Sequence, residues 1–189
     1  MKSEEQGVKF TPTKLPDVIL IEPDVFGDNR GFFMETWHAE KFVDGGITAQ
    51  FVQDNHSRSS QGILRGLHYQ IKKPQGKLVR VINGEIFDVA VDLRKNSATF
   101  GQWVGMYLSA ENKKMLWVPP GFAHGFYVTS KQADFFYKCT DFYTPEYEKS
   151  IRWDDPDLAI DWPLIEGKAP VLAPKDAAAV AFKNAEYYE

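Results

Sequence analysis

Residues 62–94 read GILRGLHYQIKKPQGKLVRVINGEIFDVAVDLR, and no other stretch narrows the possible folds of this chain as far. Phe87, Val89, Val91 and Leu93 fall on one face of a period-two pattern, and Ile86, Asp88, Ala90 and Asp92 on the other. A helix would scatter these side chains around its axis, whereas a strand sorts them onto two faces. The stretch predicts three strands, over residues 62–70, 77–82 and 85–93. The last two are joined by Asn83-Gly84, a pair suited to a tight type I′ turn because both residues tolerate positive φ. One face of the third strand is oily, and the other carries acids and small residues. Such a strand packs on one side and lines something polar on the other. Arg65, His68 and Lys77 lie in the same block, so a site is expected to begin here.

The remaining chain supports an all-β reading. Residues 17–22 predict a strand closed by Pro23, 28–31 a turn, and 31–37 a strand with Phe33 and Glu35 on one face. A short helix is expected over 38–43, ended by Gly45-Gly46. Residues 51–60 form a loop or an edge strand. Strands follow over 99–108, 115–118, the run after the sharp turn at Pro119-Pro120-Gly121, and the aromatic 134–143. IRWDDPDLAIDWP is expected as an irregular segment laid on the body, and 176–181 as a short helix capped by Asp176. Residues 1–13 are polar and expected to be loosely held or disordered. With 11 Pro and 14 Gly punctuating short strands, the fold expected is an antiparallel sandwich or barrel with a few short helices. Without repeat or linker, residues 1–189 are expected to form one domain, with about 150–189 packed on the barrel.

Composition removes several function classes. A net charge of −4 argues against general nucleic-acid binding, whose footprint is basic. Cys139 is the only cysteine, so an intrachain disulfide and a thiolate metal cluster are both out. MKSEEQGVKF lacks the apolar core of a signal peptide, and no apolar run reaches membrane-spanning length. A soluble cytoplasmic protein is expected.

Of the four histidines, His38 and His56 sit among polar residues and read as ordinary. His68 and His124 follow glycine-containing turns among apolar neighbours, and a buried His needs partners for both ring nitrogens. A satisfied core histidine, a metal ligand and a general base all meet that need, and the residues alone leave the three open. Tyr137 could serve as a phenolic acid or pack in the core. Lys77 could stand beside a developing oxyanion or cap a solvated strand end. Arg30 and Arg65, each beside a glycine, could hold phosphates or form surface ion pairs.

Pro119-Pro120-Gly121-Phe122-Ala123-His124 resembles the P-x-G-x-x-H half of the cupin metal signature. The other half should carry H-x-H and a Glu, but the matching place reads His68-Tyr69-Gln70-Ile71-Lys72-Lys73. A cupin-type jelly-roll barrel without a metal is the expectation.

Taken together, VFGDNRGFFMETW, FVQDNHSRS, GILRGLHYQ, QGKLVRVINGEIFDVAVDLR, SATFGQWVGMYLS, WVPPGFAHGF and IRWDDPDLAIDWP closely resemble the dTDP-4-dehydrorhamnose 3,5-epimerase family, a sugar-nucleotide branch of the cupins. The resemblance runs from about residue 18 to 175 with motif order intact. It implies a homodimer needing no cofactor, which inverts C3 and C5 of dTDP-4-dehydro-6-deoxy-D-glucose on the way to dTDP-L-rhamnose and bacterial surface polysaccharide such as lipopolysaccharide. By position it implies His68 as base, Tyr137 as proton donor, Lys77 near the 4-keto oxygen and Asp176 as the carboxylate paired with the base. It also implies substrate binding by Arg30, Glu35, Gln53, Asp54, Asn55, Arg65, His124, Glu148 and Lys175, with Phe26 and Tyr143 sandwiching thymine. The family's N-terminal segment crosses to the partner subunit, so Phe26, Arg30 and Glu35 are expected to serve the neighbour's site.

Elementary chemistry agrees with this set. A 4-keto group acidifies the hydrogens at C3 and C5, and the resulting enolate needs a cation at its oxygen. Inversion further requires an acid on the face opposite the base. The competing readings are an epimerase acting at C3 or C5 only, a metal-dependent cupin enzyme, and a catalytically silent nucleotide-sugar binder. One structural test follows from spacing alone. Arg65 and His68, three apart, face opposite ways in a regular strand, so both can line a site only if the strand bulges at Gly66.

Overall fold

The computed structural model describes residues 7–189, and the expectation of disorder over residues 1–6 lies outside it. Thirteen strands and two short α-helices form the described chain. They are β1 (Lys9–Pro12), β2 (Ile19–Glu22), β3 (Val25–Asp28), β4 (Gly31–Met34), α1 (Ala39–Asp44), β5 (Gln53–Ser60), β6 (Leu64–Gln70), β7 (Lys77–Asn83) and β8 (Glu85–Asp92). There follow β9 (Trp103–Ser109), β10 (Met115–Val118), β11 (Phe122–Val128), β12 (Gln132–Cys139), β13 (Glu148–Ser150) and α2 (Pro174–Ala177). A six-stranded sheet runs β1-β2-β10-β7-β12-β5, and a five-stranded sheet runs β13-β6-β11-β8-β9. Their ladders are antiparallel, and β3 and β4 form a separate hairpin. This is the cupin-type jelly roll expected.

Period-two alternation builds three layers of core. Val79, Val81, Leu116, Val118 and Phe135 of the six-stranded sheet meet Ile86, Ala90, Val104, Leu108 and Phe126 of the five-stranded sheet inside the barrel. The other parity of β8, Phe87, Val89 and Val91, faces outward and is covered by Ile151, Leu158 and Trp162 of the irregular segment after β13. On the opposite flank, Leu78, Met115 and Trp117 turn outward against Phe42 of α1, which His38 caps. Each covered face removes apolar area from water at about 25 cal/mol per Å².

Three sequence expectations need correction. The polar stretch before Thr13 is not wholly loose: β1 pairs with β2, Lys9 opposite Glu22, and Phe10 packs edge-on to Phe42 at 5.1 Å. Asn83-Gly84 does not close a hairpin. β7 pairs with β10 and β12, while β8 pairs with β9 and β11, so the chain changes sheets here. Gly84 alone has positive φ, at +76°, and a Cβ there would lie 1.9 Å from the Gln132 carbonyl oxygen. Finally, Asp176 does not cap its helix. α2 begins at Pro174 with Ala173 as N-cap, and Asp176 sits inside it, buried.

Candidate active site

β6 and β11 run side by side with His68 opposite His124 and Arg65 opposite Phe126. Three steps along β6 therefore match two along β11, which is a one-residue bulge. Gly66 makes it possible: its φ is +123°, and a Cβ would sit 2.6 Å from Gly125 Cα and 2.8 Å from the His124 carbonyl oxygen. The bulge turns Arg65 and His68 into the same cavity, as their spacing required.

That cavity, about 490 Å³, is lined from both sheets. His68 and Arg65 come from β6 and His124 from β11, in the five-stranded sheet. Tyr137 (β12), Lys77 (β7), Gln53 and Asn55 (β5) come from the facing six-stranded sheet. Tyr143, Glu148, Lys175 and the buried Asp176 also line it.

His68 Nε2 lies 2.5 Å from Asp176 Oδ1, and the Asp176 side chain is 1% exposed. A buried carboxylate on Nε2 leaves Nδ1 as the nitrogen free of that partner. Tyr137 lies on the other sheet, opposite Val79 and Asn55. Burial pushes its phenol up to about 12, so it carries its proton at neutral pH. Lys77 Nζ is 5.8 Å from the Tyr137 ring centre, and burial holds this ammonium below the ordinary lysine range.

At the rim, Tyr143 Oη donates to Glu148 Oε2 at 3.1 Å, and Lys175 Nζ donates to Glu148 Oε1 at 2.9 Å. Burial works to raise the Glu148 carboxyl, but the Lys175 ammonium, with smaller help from His68 and the Tyr143 hydroxyl, outweighs it and the net direction is down. Burial, with Glu148 beside it, raises the Tyr143 phenol. Gln53 accepts from Tyr143 N at 3.0 Å and donates to Asn55 Oδ1 at 3.2 Å, tying β5 to the loop that carries Tyr143. Arg65 Nε donates to Ser59 Oγ at 3.0 Å.

Four predicted residues lie elsewhere. Asp54 sits between Gln53 and Asn55, so alternation along β5 sends it to the opposite face, where it pairs with Lys138 at 3.1 Å. It does not line the cavity. Phe26 and Arg30 belong to the β3–β4 hairpin and Glu35 follows it, all apart from this chain's own cavity. Phe26 is 53% exposed, Arg30 pairs with Asp28, and Glu35 binds Lys41 at 2.9 Å.

The sequence reading did not single out Asp88 as a site residue. It is fully buried and holds His124 Nε2 through both oxygens, at 3.0 and 2.9 Å. Its signal was present, because Asp88 lies on the acidic face of the alternating strand. Gln75, Ser57 and Phe135 also line the cavity and carried no signal of their own. Among the described residues, no three His, Cys, Asp or Glu side chains converge as a metal-binding group. Nor is any described helix long and apolar enough to cross a membrane.

Comparison with known proteins gives consistent matches. The family model described as dTDP-4-dehydrorhamnose 3,5-epimerase matches residues 12–184. A dTDP-4-dehydrorhamnose 3,5-epimerase from Pseudomonas aeruginosa is 58% identical over 182 residues, covering 96% of this chain and 99% of the relative. A crystal structure of dTDP-6-deoxy-D-glucose-3,5-epimerase from Legionella pneumophila, in complex with dTDP-4-keto-L-rhamnose, superposes with a TM-score of 0.91. It shares 56% identity and covers 95% of each chain. A 3′-monoepimerase from Streptomyces bikiniensis in complex with dTDP-quinovose shares the fold at lower identity, 31%, with a TM-score of 0.83 over 90% of this chain and 86% of that one.

Proposed function

The chain belongs to the dTDP-4-dehydrorhamnose 3,5-epimerase family, and from that premise we infer that it inverts C3 and C5 of dTDP-4-dehydro-6-deoxy-D-glucose as a single epimerase domain. The 4-keto group makes the hydrogens on both neighbouring carbons acidic. His68 Nδ1 takes such a proton, and the C–H electron pair passes into the ring to give an enolate. The imidazolium formed is stabilised by Asp176 against Nε2. Lys77 donates to the enolate oxygen, in a site dry enough for the charge to count. Tyr137 then protonates the carbon from the other side, the keto group re-forms with inverted configuration, and proton exchange with water returns His68 and Tyr137 to their starting states before the second carbon reacts. No oxidant is consumed, because the carbonyl is present throughout.

The observation that carries this reading is the placement of His68 with Asp176 on one sheet side of the cavity and Tyr137 on the other. Epimerisation needs a base and an acid on opposite faces of one carbon, and two facing sheets supply them. Arg65 and Lys175 offer cations for the diphosphate in a net-acidic protein, and Tyr143 a ring for the thymine.

The partner side of the reading concerns the β3–β4 hairpin. Phe26, Phe32 and Phe33 are 53%, 61% and 69% exposed, while β5, which lines the cavity, is an unpaired sheet edge within this chain. A homodimer in which Phe26, Arg30 and Glu35 complete the neighbour's site uses both features. Mixing an inactive His68→Ala protein with an inactive Arg30→Ala protein should then restore activity, and no recovery after subunit exchange would refute the exchange of segments.

The reaction itself is tested by incubating the protein with the dTDP-4-dehydro sugar in D₂O containing a chelator and following C3 and C5 by NMR. Label at both carbons is expected. Label at one carbon would make this a single-position epimerase. Exchange only after added metal would overturn the mechanism.

A further inference from the structure

A smaller chamber of about 80 Å³ adjoins the main cavity, and His68, Lys77, His124 and Tyr137 line both. Its remaining wall includes Val118 and Phe122, which belong to the barrel core, and Tyr188. Tyr188 is held at several points. Its N–H donates to the Leu93 carbonyl at 3.0 Å, and its own carbonyl accepts from Lys95 N at 2.9 Å. Its hydroxyl donates to the Gln70 carbonyl at 2.5 Å. The ring stands edge-on to Tyr69 at 6.1 Å, and Tyr69 Oη donates to the Glu186 carbonyl at 2.8 Å. These contacts fix an aromatic ring at the end of β6, two residues beyond His68. The family match covers residues 12–184, and Tyr188 lies beyond it.

We propose that Tyr188 is a positioning residue for the epimerisation, its ring closing one wall of the small chamber beside Lys77. The proposal rests on the epimerase reading above. A chamber of this size has room for two or so waters, at roughly 30 Å³ each. Taking the ring out would enlarge the chamber and open it beside the segment 185–189. A cation stabilises a developing enolate oxygen more strongly in a dry site than in a hydrated one. Burial is the dominant influence on the Lys77 ammonium, and Tyr188 lines the same small chamber. The titratable groups acting on Lys77 are Tyr137 and Cys139 of β12, Asp88 of β8, Glu148 of β13 and Lys175 of α2. His68 and His124 share its chamber. Tyr69, Tyr143 and Glu148 line it as well, and changing Tyr188 replaces none of these groups.

The experiment compares wild type with Tyr188→Ala and Tyr188→Phe. It reads kcat, KM, the pH dependence of kcat, the thermal midpoint, and the titration of Lys77 Nζ by NMR in ¹⁵N-lysine-labelled protein without substrate. Tyr188→Ala is expected to lower kcat about tenfold with little change in KM, because the loss falls on the transition state. The Lys77 titration and the alkaline limb of kcat should both move upward, toward an ordinary lysine. Tyr188→Phe keeps the ring and should restore kcat and both titrations. General loosening of the fold would lower the thermal midpoint without this pattern. If the Ala protein melts too low to assay, Tyr188→Leu, which refills part of the space, should give a smaller shift in the same direction. An unmoved Lys77 titration in a folded Ala or Leu protein would overturn the proposal, as would a Phe protein as impaired as Ala. The NMR titration needs no turnover. A wild type that fails to epimerise would therefore count against the epimerase reading alone.

Discussion

Replacing Asp176 with Asn isolates one electrostatic contribution. The two side chains have nearly the same shape, so ring orientation survives, and the tautomer with Nδ1 free is kept where the amide oxygen accepts the Nε2–H of His68. What disappears is a full negative charge whose oxygen lies 2.5 Å from the ring, in a side chain 1% exposed. That charge has no role while the ring is neutral and acts only once His68 holds the substrate proton. Two unit charges with centres about 4 Å apart attract by about 4 kcal/mol at an effective dielectric of about 20. The Asn dipole recovers part of this, leaving about 3–4 kcal/mol, or roughly 10²–10³ in rate. Initial rates of deuterium entry at C3 and C5 should fall by that factor, with KM little changed. The double variant His68→Ala/Asp176→Asn should be no slower than His68→Ala, since the carboxylate acts through the ring. Losses that multiply, or an Asp176→Asn rate within about threefold of wild type, would refute the reasoning.

Two further outcomes follow from the same geometry. Gly66→Ala should cost about 2–4 kcal/mol of stability, because its φ is +123° and its Cβ would lie 2.6 Å from Gly125 Cα; denaturant unfolding measures this, and a near-neutral substitution would remove the bulge as the device that aims both Arg65 and His68. Burial raises Tyr69 and Tyr137 from 10.0 to about 12. A folded-state value above the unfolded one gives stability that is full below pH 10 and is lost as pH rises toward 12. The loss is up to about 3 kcal/mol per tyrosine. Unfolding followed between pH 9 and 12 should therefore show a steep decline that Tyr69→Phe makes shallower, and an unchanged slope would contradict it.

How far the sequence disclosed this site depends on the range of the signal. Alternation along β8 is local, and it sorted Phe87, Val89 and Val91 from Ile86, Asp88 and Ala90 without any knowledge of the fold. The Arg65–His68 spacing was also legible, because an odd step along a strand demands a bulge and Gly66 was there to make it. The same rule would have excluded Asp54, which alternates away from Gln53 and Asn55, but its place in a matched motif carried it into the site. Asn83-Gly84 shows the limit of turn chemistry: two residues specify a bend, not which sheet the next strand joins. β1 was hidden by a polar composition, since its order comes from pairing with β2. The Asp176–His68 contact spans 108 positions in sequence, and no local pattern encodes it. Tyr188 was invisible for the same reason, its place being set by Leu93, Lys95 and Gln70.

The central claim is that a base on one sheet and an acid on the other share one carbon. Tyr137→Phe tests it most directly, by comparing proton exchange with inversion in D₂O. With His68 intact, deuterium should still enter next to the keto group while inverted product falls by about 10²–10⁴, so that exchange outruns epimerisation. Inversion at the wild-type rate, or loss of exchange and inversion in equal measure, would contradict the assignment of Tyr137 as the acid on the facing wall.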